Sequence, residues 1–304
     1  MALLDLHYIQ HSANEVSYTI NKGKKVYTRK IQTDGSFTQD GMPYQFDRTE
    51  KKINLLDSVF KTHDTQPLKP LQSEFSINQR FNFLEKFTNM VLDGETASAI
   101  VTGEGGLGKS HTVMSQLEAR GWEEEIDYIV VKGYATPKAL YGTLWEHSKK
   151  TIIFDDCDSV LKDPTAVNLL KGALDSYDKR TISWLQKGFI DDGLPNSFEF
   201  QGNIIFISNM SSDKLDQAVK SRSMTIDLSM STADKIERMQ TILPNILPAY
   251  DIDMKQEVLD FMSEHSDIAV EFNVRTLQKC IKVAHAYDGS TEWKDAAKYL
   301  LTNV

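Results

Sequence analysis

The residues with the most specific chemistry are Gly103-Glu104-Gly105-Gly106-Leu107-Gly108-Lys109-Ser110, which fit G-x-x-x-x-G-K-[ST]. They follow the apolar run Ala97 to Thr102 and precede a helical pattern from His111 to Arg120. A loop of this kind cradles a triphosphate. The phosphate oxygens need several backbone N–H groups pointing inward together, a curvature that side chains would obstruct, so glycines dominate it. The helix that His111 continues adds the positive end of its dipole. Lys109 is expected at the β- and γ-phosphates, and the Ser110 hydroxyl on Mg2+.

A second constellation lies in Thr151-Ile152-Ile153-Phe154-Asp155-Asp156, where two carboxylates follow a buried strand at the edge where open α/β sheets bind ligands. A hydrophobic strand ending in acid is the Walker B pattern. Asp155 is expected to hold Mg2+ through its water shell, and Asp156 to polarise an attacking water. A plainer role, capping a helix that begins near Asp158, stays open. Cys157 reads as a small buried residue, because nothing near it in sequence would lower its pKa.

Positioning these groups requires a sheet. The runs Ala99-Ile100-Val101, Ile129-Val130-Val131, Ile152-Ile153-Phe154, Ile204 to Ile207 and Met224-Thr225-Ile226 are short and almost continuously apolar, as strands buried on both faces are. Strand, loop and helix alternate through them, which predicts an α/β fold with a parallel sheet flanked by helices. Ahead of it, Ser76 and Gln79 have capping-box spacing, and Ile77, Phe81, Leu84, Phe87 and Val91 give one helical face. After Leu228 the strands stop. Helical spacing at Ile236/Met239/Ile242/Leu243, Val258/Phe261/Met262 and Val274/Leu277/Ile281/Ala284 predicts a separate all-helical lid.

The first part of the chain is different in kind. Glu15 to Ile20 and Lys25 to Ile31 read as a β-hairpin closed by Asn21 to Lys24, with Lys22, Lys24, Lys25, Arg29 and Lys30 near Tyr18, Tyr27 and Phe37. That mixture suits phosphates and stacked bases, and it equally suits a solvated tip that protects edge strands. Thr62 to Gln72, with Pro67 and Pro70, reads as a linker. The expected division is an extension over 1–72, an α/β core over 73–230 and a helical lid over 231–304.

Composition bounds these readings. The chain has 304 residues, 40% hydrophobic and 25% charged, with a formal net charge of −9, which argues against a uniformly basic nucleic-acid binder. Cys157 and Cys280 are its two cysteines, too few for a disulfide scaffold or a four-cysteine zinc site. Neither a basic leader nor an apolar run of about 18 residues occurs, so the expectation is a cytoplasmic protein without a membrane partner.

From roughly Ser76 to the C-terminus, the order of motifs resembles the AAA+ ATPase family. Asn209, ending Asn203-Ile204-Ile205-Phe206-Ile207-Ser208-Asn209, resembles sensor 1, which orients the lytic water. Lys220-Ser221-Arg222, immediately before the strand at Met224, is similar to the segment whose arginine finger reaches a neighbouring subunit's γ-phosphate. Asn273-Val274-Arg275-Thr276-Leu277 is similar to sensor 2, from which Arg275 would touch phosphates in its own subunit. The resemblance implies an ATP- and Mg2+-dependent ATPase that assembles into a homo-oligomeric ring, a hexamer, and remodels or translocates a macromolecule. Protein is the first substrate reading. The alternative is a nucleic-acid-acting member such as a helicase loader or a replication or recombination factor.

Two departures accompany the resemblance. The family usually places Glu where Asp156 stands, so the shorter side chain implies slower hydrolysis. Ser176 to Gly202 carries two short strand patterns that resemble a hairpin inserted before sensor 1. Tyr134, in Lys132-Gly133-Tyr134-Ala135-Thr136, matches the place of an aromatic pore loop, or else packs at the start of the helix Pro137 to His147. A P-loop phosphotransferase with Arg222 and Arg275 both acting in cis, and a nucleotide switch that barely hydrolyses, are further alternatives.

Overall fold

The structure is a computed structural model and describes residues 6–12, 15–20, 26–30, 36–39, 42–47, 52–55, 73–185, 193–287 and 290–302. The chain forms two units, Met1–Leu71 and Gln72–Val304. In the first, β1 (Leu6–Ser12), β2 (Glu15–Ile20) and β3 (Val26–Lys30) make one antiparallel sheet. A second antiparallel sheet contains β4 (Ser36–Gln39), β5 (Met42–Asp47) and β6 (Lys52–Leu55). The expected hairpin is the β2–β3 pair, with Tyr18 opposite Tyr27 in register, and β1 pairs antiparallel with β2 as a third strand. Lys22, Lys24, Lys25 and the Thr62 to Gln72 segment lie outside the described residues.

The second unit opens with α1 (Ile77–Leu92), whose Ser76–Gln79 capping box satisfies the backbone donors of both residues. There follow β7 (Ser98–Thr102), α2 (Lys109–Ala119), β8 (Tyr128–Lys132), α3 (Pro137–Glu146) and β9 (Thr151–Asp155). Next come α4 (Ser159–Lys162), α5 (Pro164–Ala173), the strands β10 (Arg180–Ser183), β11 (Ser197–Phe200) and β12 (Asn203–Ile207), then α6 (Gln217–Lys220) and β13 (Met224–Asp227). The main sheet runs β13-β7-β12-β9-β8 and every pairing in it is parallel. Strand β12 is thereby inserted between β7 and β9, so the residues that follow it emerge between the phosphate loop and the acidic strand end.

Side-chain alternation along these strands divides the core into two layers. Ile100, Ile152, Phe154, Ile204 and Phe206 face one side and pack with Leu140 and Leu144 of α3 and Leu169 and Leu170 of α5. Ala99, Val101, Ile153, Ile205, Ile207 and Ile226 face the other, against Ile77, Phe81 and Leu84 of α1 and Val113 and Leu117 of α2. The inserted hairpin is β10 paired antiparallel with β11, and its base is part of the first layer through Ile182 and Phe200. Arg180 fixes it further by donating to the carbonyls of Ala173 and Gly202.

Among the described residues, four α-helices follow: α7 (Thr232–Ile242), α8 (Ile252–Glu264), α9 (Val274–Ala286) and α10 (Trp293–Thr302). Met239, Leu243, Val258, Met262, Leu277, Ile281 and Leu301 form their own buried cluster. No helix among the described residues is long and apolar enough to cross a membrane.

Candidate nucleotide site

The loop between β7 and α2 takes its shape from glycine. Gly103, Gly106 and Gly108 have φ of 132°, 77° and 93°, in the region that side chains disfavour. At Gly103 a Cβ would also stand 2.9 Å from the Leu228 carbonyl. Gly108 is the N-cap of α2 and offers no side-chain hydrogen bond, so the first N–H groups of that helix are left for a ligand. Whereas Ser76, Thr136, Asp163, Ser231, Asp251 and Asn273 each cap a helix with a side chain, the helix behind the loop has no such cap.

Lys109 is buried, and its Nζ donates to the carbonyls of Gly103 at 2.6 Å and Glu104 at 2.7 Å and to Asn209 Oδ1 at 2.9 Å. Burial pulls its ammonium down to about 8; Asp156 and Asp155 oppose that shift, and Arg275 adds to it. Beside it, Ser110 Oγ donates to Asp155 Oδ1 at 2.7 Å. A hydroxyl and a buried carboxylate at this separation form a hard oxygen pair suited to Mg2+. The donor set therefore fits a magnesium-bound triphosphate.

Asp156 is exposed at the mouth of the site with φ of 55°, and its N–H donates to the Ile207 carbonyl. Its Oδ1 accepts from Asn209 Nδ2 at 2.7 Å. Asn209 thus bridges Lys109 and Asp156, which its position after the inserted strand β12 makes possible. Asp158 is turned elsewhere: it accepts from Ser208 Oγ at 2.6 Å and lies 3.7 Å from Lys162. Cys157 is buried and its thiol is pushed up, chiefly by burial.

A cleft of about 520 Å3 contains Gly105 to Ser110, His111, Asp156, Asn209 and Arg275, and extends to Thr241, Asn245 and Gln278 of the helical region. Arg275 lies in the first turn of α9, whose Val274 N–H donates to the Gly106 carbonyl. Glu104 reaches the same region through its 2.5 Å pair with Lys235 of α7. Both contacts join the loop to the lid, and the Lys235 contact carries no motif by which it could be found in the sequence.

Two expected residues lie away from the cleft. Arg222 does not line it: Nη1 donates to the Ala218 carbonyl at 3.0 Å, and the Arg222 carbonyl accepts from Ser98 Oγ at the start of β7. The phosphate loop leaves the other end of β7, about 13 Å away at about 3.3 Å per residue. Tyr134 is 78% exposed, so its ring does not pack at the start of α3. Neighbouring Lys132 pairs in register with Asp155 and places its ammonium 3.6 Å from that carboxylate.

No protein-family model matches the chain. A protein of enterobacteria phage T4, described as an uncharacterized 36.7 kDa protein in the nrdC–mobD intergenic region, is 32% identical over 174 residues. That match covers 53% of this chain and 53% of the phage protein, so the chain spans about half the length of the curated relative it matches. Among solved structures, a point variant of Thermotoga maritima RuvB aligns with a TM-score of 0.47 at 12% identity, over 74% of this chain and 69% of that one. Domain III of the Thermotoga maritima replication initiation protein DnaA aligns with a TM-score of 0.45 at 14% identity, over 77% of this chain and 98% of that one.

Proposed function

We propose that this chain is a Mg2+-dependent ATPase of the AAA+ type, in which nucleotide turnover between the phosphate loop and the helical lid drives work on a macromolecule. The observation that carries the reading is the convergence of Lys109, Ser110, Asn209 and Asp156 in one cleft, with Asp155 bonded behind it to Ser110. The α2 N–H groups and Lys109 bind phosphate oxygens, and Ser110 and Asp155 hold Mg2+. Held by Ser110 and Asp155, the metal would supply neutralisation of the negative charge on the phosphates. Asp156 accepts the proton of the attacking water, and Asn209 fixes the carboxylate's orientation. Arg275 approaches the phosphates from the lid.

Arg222 acts in trans in this reading. Its place at the far end of β7 puts its own phosphate loop out of reach, so a second copy of the chain is the acceptor of its guanidinium. That requirement makes self-assembly a condition of turnover, and the resemblance to the AAA+ family extends it to a ring, with the hexamer as the expected size. Size measurement with and without ATP tests it; a monomer under both conditions removes the role.

For the macromolecule, we take nucleic acid ahead of the protein-remodelling reading. The exposed Tyr134 ring offers a stacking face, which suits a single strand. ATP turnover should rise with single-stranded DNA more than with duplex DNA or an unfolded protein, and the rise should be lost in Tyr134→Ala. Stimulation by unfolded protein alone returns the remodelling reading.

A further inference from the structure

Two charged side chains of the cleft, Glu85 and Arg238, have no part in the phosphate chemistry. Arg238 of α7 lies with its guanidinium carbon 3.7 Å from the centroid of the Phe81 ring. A separation that short requires the planar group to lie flat on the ring. Phe81 is fully buried and does not line the cleft, whereas Arg238 does. Arg238 therefore lies between Phe81 and the cavity. Its Nη1 donates to Asn78 Oδ1 at 3.2 Å, and its Nε is buried with no hydrogen-bond partner. The guanidinium is held in plane from behind and is not spent on a carboxylate.

Helix geometry places this group at the end of the cleft away from the phosphates. Lys235, one turn earlier on α7, pairs with Glu104 of the phosphate loop, while Thr241, one turn later, lines the distal wall. With about 1.5 Å of rise per residue, Arg238 stands about 4.5 Å along α7 from Lys235, toward Thr241. Asn245, Ile246 and Gln278 close the same distal end with amide and apolar surface. Burial lowers the pKa of Arg238, and Glu85 on the neighbouring turn of α1 opposes that shift.

We propose that Arg238 is the base-stacking residue of the nucleotide site, sandwiched between Phe81 and a purine, and that it sets a preference for purine over pyrimidine nucleoside triphosphates. This rests on the phosphate-loop reading above. A guanidinium is weakly hydrated on its faces, so a flat aromatic ring covers it at low cost, and a purine offers more overlap than a pyrimidine. The fixed Phe81 backing pre-organises the stack.

The test uses the full chain and measures equilibrium binding of ATP, CTP and inorganic tripolyphosphate to wild type, Arg238→Lys and Arg238→Ala. Arg238→Lys keeps the charge and removes the plane. The expected result is a roughly ten-fold loss of ATP affinity in both variants and an ATP-to-CTP ratio that falls toward one, with tripolyphosphate binding within two-fold of wild type. Thermal melting of each variant identifies misfolding, and if Arg238→Ala melts early, Arg238→Lys alone decides. Wild-type ATP and CTP affinities in Arg238→Lys overturn the proposal, as does a parallel loss of tripolyphosphate binding, which would make Arg238 a phosphate or scaffold residue. Failure of wild type to bind tripolyphosphate at all overturns the phosphate-loop reading and this inference with it.

Discussion

Asn209 donates through Nδ2 to Asp156 Oδ1 at 2.7 Å while its own Oδ1 accepts from Lys109 at 2.9 Å. One amide thereby ties the carboxylate suited to activating water to the cation suited to holding phosphate, and fixes its own orientation in doing so. Asp156 sits in a left-handed backbone conformation that costs a non-glycine residue about 1 kcal/mol. In the proposed mechanism, that strain is the means by which the short carboxylate is aimed at the cleft.

Asp156→Asn should lower ATP turnover by about 10²–10⁴-fold and leave ATP affinity near wild type, since general-base catalysis contributes about that much. Asn209→Ala should lower kcat less, because the carboxylate is retained and only its aim is lost. Steady-state phosphate release and nucleotide binding, measured together, separate the two. Unchanged turnover in Asp156→Asn would move the base elsewhere.

The nucleotide-free pKa of Lys109, about 8, makes binding pH-dependent. Phosphate oxygens favour the ammonium, so ATP binding near pH 8 should take up a proton, and affinity should weaken as pH rises through 8. For folding, the sign is opposite in sense. Between about 8 and the ordinary value of 10.5 the unfolded chain holds a proton that the folded chain lacks, so this group's contribution to stability rises with pH there. Calorimetry in buffers of different ionisation enthalpy reads the proton uptake, which Lys109→Met should abolish.

Arg222→Ala and Lys109→Ala should each be nearly inactive alone, the former by about 10³-fold or more, as for arginine fingers elsewhere. Mixed, they should regain activity, because an intact Arg222 from one copy then meets an intact phosphate loop on another. Activity that never returns on mixing would place Arg222 in a structural role, bracing α6 through the Ala218 carbonyl.

Gly103→Ala should destabilise the fold by roughly 1–3 kcal/mol and impair nucleotide binding, since a φ of 132° strains any side chain and the Leu228 carbonyl would stand only 2.9 Å from the new Cβ. Urea denaturation measures the first effect. Gly121→Ala, also at positive φ but with open space around it, is the control for strain without collision.

Much of the site is written locally in the chain. The phosphate loop, the acids after β9 and Asn209 after β12 are legible because each lies where an apolar strand run ends, and the alternation of those runs gives the parallel sheet. What the sequence leaves open is contact between elements far apart along it. Phe81 and Arg238 lie on helices whose apolar periodicity is clear, yet no spacing rule says that their polar and aromatic faces meet. The Glu104–Lys235 pair is hidden for the same reason. The Ser176 to Gly202 insertion is legible as two strands, but its anchoring by Arg180 on main-chain carbonyls depends on tertiary packing. Helix boundaries shift slightly as well: α2 starts at Lys109, not His111, because the glycine N-cap is already outside the helix.

The central claim is tested most directly by phosphate release from ATP and Mg2+, measured on the purified full chain beside Lys109→Ala in one assay. The account predicts magnesium-dependent release by wild type that is abolished by chelation and falls at least a hundred-fold in the variant. Equal release by both proteins, or wild type that binds no ATP, would contradict it.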